Sequence, residues 1–222
     1  MTFFSAQRRQ LVAATVLMGL AGQAAADVSV DFFRAINLDL PDLVRKLITQ
    51  GVDPNTRAED GQPAIHKAFR DDSPKVVEVL LDQPSLNINI RNNAGETPLM
   101  MAAIRGHVNA MKRLIERGAT INQEGWAPLH YAASQASAEP LALLLEKGAD
   151  INARSPNGST PLMMAARYGS EEGTRLLLQR GADAQLQNEQ NLSAADFAKR
   201  VGRDGLAKEL AAAAASKVRA SN

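Results

Sequence analysis

Cysteine is absent from the 222-residue chain. Its absence excludes disulfides, thiolate nucleophiles, cysteine-type zinc sites and iron–sulfur clusters. A chain without thiols also suits an oxidising compartment, where a stray thiol would cross-link. The composition is therefore compatible with export.

Aromatic residues are scarce, and neither sign of charge is in excess. Phe, Tyr and Trp make up 4% of the chain, and the formal net charge is +1. Lys and Arg are spread along the sequence, so there is no basic stripe of the kind that neutralises nucleic-acid phosphates. Nucleic acid is not expected as a partner. With 45% hydrophobic and 22% charged residues, the chain is expected to fold.

The first 26 residues have the pattern of a secretory signal peptide. Arg8 and Arg9 precede an apolar run over 11–22, which ends in small residues up to Ala26. A membrane anchor needs about 20 apolar residues, more than this run provides. We predict cleavage after Ala26, a periplasmic location and no membrane segment after cleavage. The general secretory route fits better than twin-arginine export, which the arginine pair leaves open.

A nine-residue pattern recurs along the rest of the chain. Residues 95–103 read GETPLMMAA, residues 158–166 read GSTPLMMAA, and residues 125–133 read GWAPLHYAA. Looser copies occupy 61–69 and 191–198. The positions of the proline slot (64, 98, 128, 161 and 194) lie 34, 30, 33 and 33 residues apart. This period predicts small helix pairs that bury their apolar faces only by stacking.

Each copy carries start and stop signals for helices. A hydroxyl that can cap a helix start comes first, followed by proline at the first helical position, where a missing N–H costs nothing. A second apolar segment ends at a glycine that can take the left-handed conformation. The capping residues are Thr97, Thr160 and Ser193, the prolines are Pro98, Pro128 and Pro161, and the glycines are Gly118, Gly148 and Gly181.

These residues resemble the ankyrin-repeat family, whose signature is Gly-x-Thr-Pro-Leu-His-x-Ala-Ala with a closing Gly-Ala-Asp. The resemblance covers about residues 31–210 and, with the export pattern, suggests an exported bacterial member of the family. It implies an all-α repeat solenoid with β-hairpin loops, stacked into an L shape with a concave face. The expected parts are an N-terminal capping repeat (27–59), repeats at 60–89, 94–122, 124–152 and 157–185, a C-terminal cap with an Ala-rich helix (188–217), and a disordered tail (218–222).

His66 and His130 match the family histidine, whose ring resembles a local hydrogen-bonding brace. Met100, Met163 and Asp196 stand at that position in the other units. The resemblance does not extend the brace to these three units, although methionine can fill the space as an adaptable apolar residue.

No catalytic pattern is present. HExxH, GxSxG, Walker-type and EF-hand spacings are missing. His66 and His130 fall on structural repeat positions, and His107 fits an inter-helix turn. The two Met pairs would suit a copper or oxidant sensor, but their place in the helix pattern favours core packing. We therefore expect no enzyme activity, no cofactor and no bound metal.

Partner binding is the function that the sequence favours. In the ankyrin architecture, residues beside the hairpin glycine and after the Ala-Ala pair point towards the concave side. Scaffold packing constrains those positions least, so they are candidates for partner contact, and Ser134 holds one of them. The selected candidates are Trp126, Ile104, Arg105, Arg167, Tyr168, Glu96, Arg70 and Gln135.

Trp126 is the sharpest candidate, because it is the only tryptophan and occupies a variable hairpin slot. Trp, Tyr and Arg often dominate interface energies. Its expected neighbours are Ile104, Arg105, Arg167 and Tyr168. Its loop is three residues shorter than the next one, so the indole has an alternative role as a gap filler.

Three functions follow, in order of preference. The first is a monomeric periplasmic module that binds one protein through the concave face and hairpin tips, for instance as an accessory factor for a stress enzyme. The second is an immunity protein that blocks a delivered toxin. The third is an enzyme that holds a small anion near Arg105, Arg167 and Tyr168.

Overall fold

The structure is a computed structural model that describes residues 28–220. The predicted export segment lies outside the described residues. Within 28–220 the chain is helical, without strands, which confirms the all-α repeat class. The helices are α1 (28–37), α2 (Pro41–Thr49), α3 (Ala64–Arg70), α4 (Pro74–Leu81), α5 (Pro98–Arg105), α6 (Val108–Glu116), α7 (Pro128–Ala133), α8 (Glu139–Glu146), α9 (Pro161–Tyr168), α10 (Glu171–Gln179), α11 (Ala194–Arg200) and α12 (Asp204–Ala220).

The chain divides into two compact units, the first of which ends at Leu86. Within the first unit, α2 and α3 both pack against α4. Its core is built from large side chains, because Phe32, Ile36, Ile65 and Phe69 are all fully buried.

The second unit begins at Asn87 and contains α5 to α12. Its short helices α5, α7, α9 and α11, here called the inner helices, contact one another in chain order. Each also packs against the helix that follows it, and α6 contacts α8. The Ala-Ala pairs of α5, α7 and α9 are buried, so small side chains allow the inner helices to approach closely.

The starts of the inner helices show the predicted caps. The hydroxyls of Thr97, Thr160 and Ser193 each accept a hydrogen bond from the N–H three residues later, at 3.4 Å. The second helices of these repeats, α6, α8 and α10, are each followed by a closing glycine. These glycines, Gly118, Gly148 and Gly181, have φ of +85°, +82° and +95°. This is the left-handed conformation expected at these helix ends.

In three units without the family histidine, another side chain accepts the hydrogen bond from the N–H of the helix-cap residue. This corrects the expectation from the sequence, which did not extend the brace to these units. The sulfur of Met100 accepts from the Thr97 N–H at 3.3 Å, and that of Met163 accepts from the Thr160 N–H at 3.4 Å. A carboxylate oxygen of Asp196 does the same in α11, at 2.9 Å. A thioether is a weak acceptor, but it has the reach to satisfy this buried donor. In α3 the N-cap residue is Pro63, which has no N–H to donate.

The final helix is longer than expected from the sequence. It runs to Ala220, so residues 218–220, which were expected in a disordered tail, are helical. The segment is rich in Ala with Lys and Arg, which are strong helix formers. No helix within residues 28–220 combines the length and the apolarity needed to cross a membrane.

The hairpin loops are tight turns rather than extended ribbons. A backbone N–H closes most of them by donating to the carbonyl of the residue before the helix cap, as from Asn92 to Glu96 (3.1 Å) and from Ser155 to Ser159 (2.9 Å). The loop before α7 is shorter and closes differently. There the Gln123 side-chain amide donates to the Trp126 carbonyl at 2.7 Å.

Asparagines connect successive turns of the second unit. The Asn89 side chain accepts from the Thr120 N–H at 2.9 Å, and Asn122 accepts from the Asp150 N–H at 2.8 Å. Asn152 accepts from the Asp183 N–H at 2.9 Å. The side-chain amides of Asn89 and Asn122 also donate to glycine carbonyls of the next turn. Each turn is thereby fixed to the one that follows.

Candidate partner-binding site

The segments that begin at Pro98, Pro128 and Pro161 share the proline, the following leucine and the Ala-Ala pair, and they differ at the third, fourth, seventh and eighth places. The seventh place holds Ile104 in α5 and Arg167 in α9, whereas in the middle repeat it holds Ser134, which directly follows the end of α7. A short side chain therefore stands between two long ones on adjacent helices. This arrangement leaves a hollow on the surface of the second unit.

The hollow is a pocket of about 260 Å³. Its lining is mainly aliphatic and aromatic, and no side chain in it carries a full charge at neutral pH. We call it the Trp126 pocket; its lining residues are Ile104, Trp126, His130, Tyr131, Ser134 and Met164.

Trp126 is partly buried and forms one wall. Its indole meets the His130 ring edge to face, with centroids 5.3 Å apart and planes at 78°. It meets the Tyr131 ring in the same way at 6.4 Å and 77°. The indole thus packs on α7 with part of its surface and lines the pocket with another part. Its role as a partner contact stays a prediction.

His130 lies beneath the indole with both ring nitrogens engaged. Nδ1 accepts from the Ala127 N–H at 3.1 Å, and this fixes the proton on Nε2, which lies 3.1 Å from the Ser159 carbonyl and donates to it. Burial lowers the pKa of His130, although the bond to Ser159 opposes that effect. The ring is therefore neutral at pH 7 and braces α7 against the following loop.

Tyr131 is held from the opposite side. Its hydroxyl donates to one carboxylate oxygen of Glu96 at 2.9 Å, and the Asn92 side-chain amide donates to the other at 2.7 Å. Burial, followed by the negative charge of Glu96, raises the pKa of Tyr131. The phenol stays protonated, and it orients Glu96 at the hairpin end of α5.

Arg167 and Tyr168 lie beyond the pocket, towards α11, and do not line it. The Arg167 guanidinium stacks over the Tyr168 ring at 5.0 Å and lies 5.9 Å from the Phe197 ring centroid. Tyr168 is 55% exposed. The buried Nε of Arg167 has no hydrogen-bond acceptor within the described part of the chain. An unsatisfied N–H of this kind costs roughly 1–3 kcal/mol.

The other candidates are dispersed. Arg105 is exposed at the end of α5. The Gln135 side-chain amide donates to the Ile104 carbonyl, and the Gln135 carbonyl accepts from the Ser170 N–H at 3.2 Å, so this residue connects three successive segments. Arg70 belongs to the first unit, where it pairs with Asp60 at 3.3 Å. Of the eight candidates, the structure brings only Ile104 and Trp126 into the Trp126 pocket.

Sequence reasoning missed Tyr131 and Met164. Both occupy the fourth place of an inner helix and are only partly buried. The Met pair that includes Met164 was expected in the core, and Tyr131 was not singled out. Aligning the repeats would have shown the signal. The fourth place holds Met101, Tyr131 and Met164, and the small residue Ser134 follows Tyr131 by three positions.

Comparisons with known proteins agree with the repeat architecture. A family model described as Ankyrin repeats matches three times, over residues 32–124, 71–155 and 121–188, which together span more than half of the chain. The B-cell lymphoma 3 protein homolog of Mus musculus is 40% identical over 91 residues, which are 40% of this chain and 20% of that protein. Ankyrin repeat and SAM domain-containing protein 6 of Rattus norvegicus is 31% identical over 113 residues, 49% of this chain and 12% of that protein.

A plant protein shows a similar likeness. The BTB/POZ domain and ankyrin repeat-containing protein NPR3 of Oryza sativa subsp. japonica is 39% identical over 88 residues, 40% of this chain and 14% of that protein. The chain thus spans a fifth or less of the length of these relatives.

Proposed function

Since the chain belongs to the ankyrin-repeat family, whose repeats form protein–protein interaction modules, we propose that it is a non-catalytic binding protein whose inner helices α5, α7 and α9 recognise a protein partner. The observation that carries this proposal is the Trp126 pocket. It is an open apolar hollow at the place where α7 departs from its otherwise uniform neighbours.

The state of the polar groups around the pocket supports a binding role over catalysis. Both nitrogens of His130 serve the fold. The Tyr131 phenol and the Glu96 carboxylate bond to each other, and burial keeps the phenol protonated. A general acid or base needs a titratable group within reach of the substrate. These three groups are instead committed to intramolecular contacts.

The export pattern of residues 1–26 supports a periplasmic location, and the partner would then be a protein of that compartment. An accessory factor that holds a stress enzyme fits this setting. Fractionation of cells that carry the gene, followed by N-terminal sequencing, tests the location. The mature chain should begin at Asp27 in the periplasmic fraction, and an uncleaved chain in the cytoplasm would contradict the proposal.

Crosslinking tests the binding surface. A photoreactive amino acid placed at Arg105 should crosslink the chain to one protein in living cells, and Trp126→Ala should abolish the product. The matched control is a photoreactive residue at Lys112, which is exposed on α6. Equal crosslinking from both positions, or a product that survives Trp126→Ala, would count against the inner helices as the binding surface.

A further inference from the structure

We propose that the Trp126 pocket receives one large apolar side chain of the partner, and that an acidic residue two positions away in the same segment pairs with Arg167. This inference rests on the proposed binding function. It names the chemistry of the partner segment.

The size of the pocket points to a single side chain. Sites for small molecules usually enclose roughly 300–1,000 Å³, and the Trp126 pocket encloses about 260 Å³. Interfaces concentrate their binding energy in apolar or aromatic anchors that fill such hollows. A Leu, Ile, Met, Phe or Trp side chain fits this description.

The walls of the pocket favour an apolar guest. Ile104, Trp126 and Met164 present aliphatic and aromatic surface, and a thioether side chain adapts to guests of different shape. The polar lining groups already have partners: His130 and Tyr131 bond as described, and the Ser134 hydroxyl donates to the His130 carbonyl at 3.0 Å. The donor hydrogens of these groups are therefore in use, and a guest that needs donors from the wall would lose its water without gaining them.

The charge beside the pocket favours a carboxylate. Arg167 follows Met164 by three residues on α9, which places the two side chains on the same face. Arg167 is partly exposed, and its guanidinium carbon lies 5.0 Å from the Tyr168 ring centroid and 5.9 Å from that of Phe197. Arginine binds carboxylates through paired N–H groups. Arg105 adds a second positive charge next to Ile104.

The spacing follows from strand geometry. In an extended segment, residues i and i+2 point to the same side, about 6.6–6.8 Å apart. Met164 and Arg167 lie about 4.5 Å apart along the α9 axis, and the arginine side chain spans the remainder. An apolar residue in the pocket thus places an acidic residue two positions away within reach of Arg167.

A random dodecapeptide display library is the probe, selected against the chain purified after expression from its full-length gene. Enriched peptides should share an apolar residue with Asp or Glu two positions away. Synthetic copies should shift the fluorescence of Trp126, the only tryptophan. Ser134→Ile, which introduces the residue found at this place in α5, should weaken binding at least tenfold. Arg167→Glu should switch selection from Asp or Glu to Lys or Arg.

Other results would overturn the proposal. Enriched peptides that bind Ser134→Ile and Trp126→Ala as well as the unaltered chain would occupy another surface; binding as such would stand and the pocket assignment would fall. Selection that yields no peptide, or an acidic preference that persists in Arg167→Glu, would also overturn it, while the crosslinking result decides the proposed function separately. Thermal unfolding of each variant verifies that it is folded, and Lys112→Ala serves as the neutral control.

Discussion

The helices α5 and α9 differ from α7 in how they reach the same geometry. The first two begin with Thr-Pro-Leu-Met-Met, and each combines a threonine cap with a sulfur acceptor. Helix α7 begins with Ala-Pro-Leu-His-Tyr; Ala127 has no side-chain cap, and His130 supplies the acceptor and a further bond to Ser159.

This comparison distinguishes the residues that stabilise the helix starts from those that line the Trp126 pocket. The fold accepts either a methionine sulfur or a histidine nitrogen at the start of an inner helix, because both accept a hydrogen bond from the N–H of the residue before the proline. Four of the six residues that line the Trp126 pocket, namely Trp126, His130, Tyr131 and Ser134, belong to the repeat with the divergent start. The four variants that follow test this comparison in order of decreasing effect.

Gly169, which directly follows α9, lies close to the backbone of α7. A Cβ at this position would lie 2.2 Å from the Ala133 carbonyl oxygen of α7. We expect Gly169→Ala to lower the free energy of unfolding by about 3 kcal/mol, since backbone cannot yield as a side chain does. Denaturant unfolding measures the loss. Gly205→Ala is the control, because nothing lies within 4 Å of its Cβ position; equal behaviour of the two variants would contradict the contact.

Arg203 closes the C-terminal end of α9. Its guanidinium donates to the carbonyls of Ala165 and Ala166 at 3.3 and 3.2 Å, and to that of Gly169 at 2.7 Å. Because charged hydrogen bonds contribute roughly 1.5–3 kcal/mol, Arg203→Ala should cost about 2 kcal/mol of unfolding free energy. Arg203→Lys, which keeps the charge without the fork, should lose an intermediate amount. A lysine variant as stable as the unaltered chain would show that charge alone matters.

The threonine cap is specific to the uniform repeats. Thr160→Ala removes the acceptor for the Met163 N–H and should destabilise the chain by about 1 kcal/mol. Thr160→Ser keeps the hydroxyl and should retain most of that stability in urea titrations. If alanine is tolerated as well as serine, the sulfur brace alone suffices at α9.

His130 should make stability depend on pH. Its pKa is lowered in the folded state by burial, so the unfolded chain takes up a proton more readily once the pH falls below the ordinary value of 6.5. Unfolding free energy should therefore be greatest above pH 6.5 and decline towards pH 5. His130→Met, which copies α5 and α9, should remove this part of the decline. Parallel slopes for both proteins between pH 7 and pH 5 would refute this role.

Much of the fold could be predicted from the sequence, because proline, threonine and glycine act locally. Thr97 and Thr160 cap as expected, and the closing glycines are left-handed. The sulfur acceptors of Met100 and Met163 could not be foreseen from an apolar pattern. The Trp126 pocket also escaped prediction, since it depends on Ser134 being short between residues some 30 positions away on neighbouring helices. Arg167 was expected beside Trp126 but turns towards Tyr168 and Phe197.

The asparagines that connect successive turns have a consequence for how such an array changes length. Asn89, Asn122 and Asn152 all bond main-chain atoms of the following turn. Because these bonds reach main-chain groups, they do not depend on which side chains the following turn carries. An in-frame duplication or deletion of one whole unit would therefore preserve the asparagine bonds between successive turns, while contacts such as that of Tyr131 with Glu96 would depend on which repeats became neighbours.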